Sequence, residues 1–244
     1  MTNSLILKVN NLTTGYYTRK LFKKKEYTEI LHNVSFEIHK GEILSLVGES
    51  GTGKSTLAKT ILGINKTYTG EVIHYSSYPQ MVFQNPMSSL NPFYNVQWIL
   101  EEPLKAMGVS NKKDRLQQVK NMMKLVELPE IYLKSKIDEL SGGQRQRVAI
   151  AVALINKPSF IIADEAVSAL DVTIQKQILD LIKKLKEDLG ISFLFITHDL
   201  NVVYNISDRV IVMKNGTIVE SGITQDIFSN PQHPYTKQLL EDAK

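Results

Sequence analysis

The sequence predicts an α/β fold, a mostly parallel sheet with a long helical segment set into it, and three observations carry that prediction. Ile43-Leu44-Ser45-Leu46-Val47, Phe160-Ile161-Ile162-Ala163 and Ser192-Phe193-Leu194-Phe195-Ile196 are short, nearly continuous apolar runs. Runs without polar alternation suit strands covered on both faces, as in a parallel sheet. The first run leads into a glycine-rich turn and then a helical pattern over residues 54–63, which is a βα unit. Residues 91–156 are mostly helical in pattern, rich in Lys, Glu, Gln and Leu and punctuated by Pro92, Pro103 and Pro129. They read as an inserted α-helical subdomain within a single domain spanning residues 1–244.

The remaining elements follow in order. Residues 5–36 carry short β-like runs broken by a basic segment, Lys20, Lys23, Lys24 and Lys25, which reads as an exposed hairpin loop. Residues 174–189 form a helix whose stripe is Ile174, Ile178, Leu181, Ile182, Leu185 and Leu189, with Gly190 at the position of a C-terminal cap. Near the end, two strand-like runs flank Lys214-Asn215-Gly216, and Asn-Gly between such runs signals a hairpin.

Composition bounds the function. A chain of 244 residues suffices for one large α/β domain. At 43% hydrophobic and 22% charged residues, the composition is that of a globular protein and argues against disorder. The formal net charge of +4 is too mild to predict nucleic-acid binding. No cysteine is present, which excludes disulfides, thiol catalysis and Cys-ligated metal. No apolar run approaches the roughly 20 residues that span a bilayer, and the N-terminus lacks the pattern of a signal peptide. The expectation is a cytoplasmic protein whose membrane role, if any, comes through a partner.

Gly48-Glu49-Ser50-Gly51-Thr52-Gly53-Lys54-Ser55, followed by Thr56, fits the phosphate-binding P-loop pattern. Glycines let backbone N–H groups converge on phosphate oxygens, and the following helix adds its positive end. Lys54 is placed to reach the β- and γ-phosphates and the Ser55 hydroxyl to ligate Mg²⁺. The run Phe160-Ile161-Ile162-Ala163 ends in Asp164-Glu165, acids at the carboxyl end of a buried strand, where α/β folds open their ligand crevice. Asp164 is the expected Mg²⁺ partner, directly or through a water. Glu165 is placed to orient and deprotonate an attacking water. His198, just after another buried strand, is expected at the γ-phosphate, and Gln84 can offer its amide oxygen to Mg²⁺ or to the water.

Leu140-Ser141-Gly142-Gly143-Gln144 resembles the signature sequence of ABC ATPases and lies between P-loop and acidic strand, as in that family. Ser141 and the two glycines open a helix and so present a second anion-binding helix start. The resemblance covers essentially the whole chain. It implies a P-loop, RecA-like core with an N-terminal antiparallel β subdomain and an inserted helical subdomain. By the same resemblance Asp164-Glu165 ends the Walker B strand and Ser168-Ala169-Leu170-Asp171 is the D-loop. His198 is then the switch histidine and Gln84 the Q-loop glutamine. Tyr16 stands where the family places an aromatic that stacks on adenine, with Tyr17 as the competing neighbour. Ala166 and Val167 depart from the usual Pro and Thr or Ser.

The family pairs two ATPases head to tail, each ATP held between the P-loop of one and the signature of the other, Ser141, Gly142, Gly143 and Gln144 here. The implied partners are a second, related ATPase chain, two transmembrane permease subunits and, indirectly, an extracellular substrate-binding protein, with no nucleic acid. Residues 231–240, Pro-Gln-His-Pro-Tyr-Thr-Lys-Gln-Leu-Leu, resemble the tail of ATPases from peptide and nickel importers. The chain stops at Lys244 without the cysteine-bearing extension of many peptide importers, which leans the expectation towards nickel or metal chelates. The competing class is a soluble ABC ATPase acting on ribosomes or DNA; those commonly carry two cassettes or a coiled-coil insertion, and neither is visible here.

Overall fold

The structure, a computed structural model, describes residues 4–18, 26–76 and 79–242. The basic segment Lys20, Lys23, Lys24 and Lys25 lies outside them. Two long strands open the chain, β1 (Leu5–Thr18) and β2 (Glu26–His39), paired antiparallel with several register shifts. β3 (Ile43–Val47) follows, buried at every residue, and the glycine loop turns it into α1 (Lys54–Ile61). β4 (Tyr68–His74) returns to β1, which gives a first, antiparallel sheet in the order β2-β1-β4.

β5 (Gln80–Val82) starts the second sheet. Helices α2 (Pro86–Ser89), α3 (Val96–Ala106), α4 (Lys112–Leu125) and α5 (Gly142–Leu154) come next, with two 3₁₀ turns before α5. Each of these α-helices begins where a side chain accepts an otherwise orphaned backbone N–H: Asn85, Asn95, Asn111 and Ser141. Pro103, expected as a break, lies inside α3. Its ring removes the N–H that would reach the Ile99 carbonyl, yet the helix continues through it to Ala106, and Met107 N–H donates to the Pro103 carbonyl at 3.0 Å.

The remainder alternates: β6 (Phe160–Asp164), α6 (Val172–Leu189), β7 (Ser192–Ile196), α7 (Leu200–Ile206), β8 (Arg209–Lys214), β9 (Thr217–Ile223), α8 (Thr224–Ser229) and α9 (Pro234–Asp242). The second sheet runs β5-β6-β7-β3-β8-β9, parallel except for the last pair. Its two faces bury different residues of the same strands. Ile161, Ala163, Phe193 and Phe195 pack with the helices on one side. Phe160, Ile162, Leu194 and Ile196 pack with α1 and the antiparallel sheet on the other. That double burial is why these strands show no polar alternation.

The Asn215-Gly216 hairpin joins β8 to β9, with both residues at positive φ (47° and 77°) as a type I′ turn requires. In α6, Ile178, Leu181, Ile182 and Leu185 are buried and Gly190 caps the end at φ 65°. Leu189, expected in the stripe, is instead half exposed, although Leu185 and Ile191 on either side of it are buried.

Candidate functional site

β7 lies between β6 and β3 and is parallel to both, so the carboxyl ends of the three strands open on one edge of the sheet. The glycine loop leaves β3 there, Asp164 and Glu165 leave β6, and His198 lies two residues beyond β7. A cavity of about 350 Å³ opens at this edge, lined by Ser50, Gly51, Lys54, Ser55, Thr56 and Glu165, with Gly53 and Ile30 of β2 completing the wall.

Two glycines are forced by space as well as by backbone. A Cβ on Gly48 would stand 2.2 Å from the Met213 carbonyl oxygen, and one on Gly53 2.5 Å from Leu31 Cδ2. Gly53 is also the N-cap of α1, at φ 100°, and gives no side-chain cap. The first-turn N–H groups of α1 therefore face the cavity without a capping oxygen, the arrangement that receives an anion.

Lys54 is only 7% exposed, and its Nζ donates to the carbonyls of Gly48 (2.7 Å) and Glu49 (2.8 Å). Burial pushes its pKa down, against the pull of Glu165, Asp164 and Glu49. Burial pushes Asp164 up, and the charge of Glu165 adds to this while the Ser55 hydroxyl and Lys54 oppose it. The Oδ1 of Asp164 is buried and unpartnered. Such an oxygen, with the neighbouring Ser55 hydroxyl, is a hard-donor pair that fits Mg²⁺. Among the described residues no group of three or more His, Cys, Asp or Glu could hold a metal alone.

Glu165 occupies left-handed backbone, φ 48°, rare for a residue with a side chain. Its N–H donates to the Ile196 carbonyl at 2.9 Å, which ties the end of β6 to β7. Its carboxylate is gripped from both sides: Gln84 Nε2 donates to Oε2 at 2.7 Å, and His198 Nδ1 lies 3.4 Å from Oε1. The structure thus brings Gln84, Glu165 and His198 together from three separate strand ends. Gln84 spends its amide nitrogen on Glu165, which leaves the amide oxygen for another partner.

The signature residues are not in this cavity. Ser141 and Gln144 form a reciprocal capping box at the start of α5: Gln144 N–H donates to Ser141 Oγ at 3.3 Å and Ser141 N–H to Gln144 Oε1 at 2.9 Å. Gly142 lines a separate depression of about 380 Å³ with Gln84, Met87, Arg145, Ala166 and Leu170. Gly143 lets α5 approach α6, since a Cβ there would stand 2.5 Å from Ile174 Cγ2. Asp171 caps α6, accepting from Ile174 N–H at 3.0 Å. The two atypical residues Ala166 and Val167 are both buried, at 2% exposure.

Of the two candidate aromatics, Tyr17 lies opposite Tyr27 with ring centroids 5.0 Å apart, while Tyr16 lies opposite Thr28 and has no ring partner among the described residues. One contact was not legible in sequence: Glu49 N–H of the glycine loop donates to the hydroxyl of Tyr235, 186 positions away. The Pro-Gln-His-Pro-Tyr tail was its only signal.

A family model described as "ABC transporter" matches residues 31–168. A second, "Oligopeptide/dipeptide transporter, C-terminal region", matches residues 219–243. A putative peptide import ATP-binding protein of Brucella ovis is 41% identical, over 98% of this chain and 79% of its own length. The dipeptide transport ATP-binding protein DppF of Haemophilus influenzae is 42% identical over 98% and 78%. Among solved structures, a dimeric ATP-binding cassette in a post-hydrolysis state with ADP and Pi is 33% identical. It superposes with a TM-score of 0.76 over 89% of this chain and 98% of its own. The cbiO1 protein of Clostridium perfringens, part of the transporter complex cbiONQ, is 27% identical, with a TM-score of 0.80 over 98% and 99%. These matches favour the transport class over a ribosome- or DNA-directed ATPase. With the glycine loop, the acidic strand end and the signature helix start all in place, the chain belongs to the ABC transporter family as an ABC ATPase carrying the C-terminal region of the oligopeptide/dipeptide transporters.

Proposed function

We propose that the chain is the ATP-hydrolysing motor of a peptide importer, working at the cytoplasmic face of the membrane on two permease subunits fed by an extracellular binding protein. Among the described residues no helix is long and apolar enough to cross a membrane, and in this reading the permeases provide the path. The peptide cargo rests on the matched C-terminal region and on the names of the relatives. It replaces the leaning towards nickel drawn from the lack of cysteine.

In this reading the loop from Gly48 to Thr56 receives the phosphates, Lys54 exchanges its two carbonyl acceptors for the β- and γ-phosphates, and Tyr16 stacks on adenine. Ser55, Asp164 and Gln84 would hold Mg²⁺, which would offset the charge of the phosphates. Glu165 takes the proton of the attacking water, and His198 contacts the γ-phosphate. Ser141, Gly142, Gly143 and Gln144, with the D-loop Asp171, serve the ATP of the other protomer. The second protomer is a related but different chain, paired head to tail, and residues 91–156 form the arm that meets the permeases.

The observation that carries the proposal is the Glu165 carboxylate, held between Gln84 and His198 at the rim of a cavity walled by Lys54 and Ser55. Glu165→Gln removes the base and keeps the shape. Phosphate release should fall by at least about 100-fold while MgATP binding persists and a nucleotide-bound dimer accumulates on size exclusion. Unaltered turnover would remove Glu165 from its role. In the reconstituted importer, peptide-loaded binding protein should stimulate hydrolysis, whereas a nickel chelate should not.

A further inference from the structure

We propose that Tyr235 is a positioning residue for the phosphate loop, so that the C-terminal segment sets nucleotide affinity from within the same chain. The inference rests on the reading above that residues 48–55 hold the phosphates.

The tail is built to deliver this one side chain. Glu220 of β9 accepts Gln232 N–H at 2.7 Å on one carboxylate oxygen and His233 N–H at 3.1 Å on the other. That fixes the turn before α9. His233 Nδ1 then accepts Tyr235 N–H at 3.1 Å, which makes His233 the cap of the helix. Pro234 occupies the first helical position, where its missing N–H costs nothing. His, Pro and Tyr thus do three successive jobs: cap, start and reach.

Tyr235 is 4% exposed and packs in one apolar cluster with Val47, the residue immediately before Gly48. Lys214 Nζ stands 4.4 Å from its ring centroid. Its hydroxyl accepts Glu49 N–H at 3.2 Å, with the Glu49 carboxylate beside it. Glu49 is in turn the pivot of the loop. Its carbonyl accepts from Lys54 Nζ at 2.8 Å and from Thr52 Oγ1 at 2.9 Å. Tyr235 therefore holds the far side of the residue that orients Lys54, while its ring braces the strand end from which the loop departs. A loop held in shape before the nucleotide arrives loses less freedom on binding. None of these contacts reaches the acid, the glutamine or the histidine at the hydrolytic end of the cavity, so the effect falls on affinity and not on chemistry.

The test is Tyr235→Phe in the full chain, which keeps the ring and deletes the hydroxyl. MgATP and MgADP are titrated by calorimetry, hydrolysis is followed in complex with the partner subunits, and the nucleotide-free Tm is measured alongside. The expected result is a Kd and KM for ATP raised about fivefold, kcat held within about twofold, and an unchanged Tm. Glu220→Gln, which loosens the turn one step upstream, should move KM in the same direction. An unchanged KM in Tyr235→Phe, or a loss of kcat that tracks a fall in Tm, overturns the inference. Failure of the unsubstituted chain to bind MgATP would instead overturn the nucleotide site itself, and the inference with it.

Discussion

Ionising Asp164 works against its surroundings. Burial holds its carboxyl above the ordinary value of 3.8, so the unfolded chain gives up this proton more readily than the folded one. Where the folded pKa of an acid is raised, stability declines as pH climbs from the unfolded value through the folded one and stays reduced above it. Asp164→Asn should accordingly stabilise the nucleotide-free protein at neutral pH, on the order of 1 kcal/mol, as removal of strained site charges commonly does. The gain should vanish below about pH 4, and Mg²⁺-dependent ATP binding should weaken. Thermal unfolding across pH, with and without MgATP, measures all three. At this scale the sequence showed which acids end a buried strand, because position after an apolar run is a local signal. It did not show the left-handed backbone of Glu165 or its grip by Gln84, which depend on where three distant strand ends meet. Nor did it show that Tyr17 meets Tyr27 across the strand pair.

Elements follow local chemistry more closely. The helix start at Ser141, the turn at Asn215-Gly216 and the stop at Gly190 all stand where residue type and spacing put them, and the structure adds side-chain caps at Asn85, Asn95 and Asn111. What spacing could not supply is the distance between elements. Gly143 was legible as part of an anion-binding helix start, yet the close approach of α6 supplies a second reason for it. Gly143→Ala would set a methyl 2.5 Å from Ile174 Cγ2 and should destabilise by about 1–3 kcal/mol. Denaturant unfolding measures the loss. Ile174→Ala in the same chain should recover part of it, because the two side chains compete for one space. Leu189 errs the opposite way: the helical period assigns it to the stripe, and the structure leaves it half exposed.

For the whole molecule, the tail closes a circuit between the end of the chain and the loop after β3. Burial opposes ionisation of Glu220, but the Thr236 hydroxyl and the N–H groups of Gln232 and His233 outweigh it, so its carboxyl titrates below the ordinary 4.5. For an acid whose folded pKa is depressed, the stabilisation is present above the unfolded value and fades as pH falls through the folded one. Limited proteolysis of α9 should therefore accelerate as pH drops below about 4.5, and Glu220→Gln should be fast at every pH. The overall architecture was legible because the three family motifs are short, contiguous and ordered. The cargo was not, since the lack of cysteine is silent about what a permease admits. The strand order has a consequence for how the molecule comes into being. β3 lies between β7 and β8, so the strand bearing the phosphate loop has no parallel neighbour until residues 192–214 have left the ribosome. Assembly of the parallel sheet must then be late and dominated by distant pairings, a topology that folds slowly, and a nascent chain halted before β7 holds a complete glycine loop on a strand that has no partner yet in the parallel sheet.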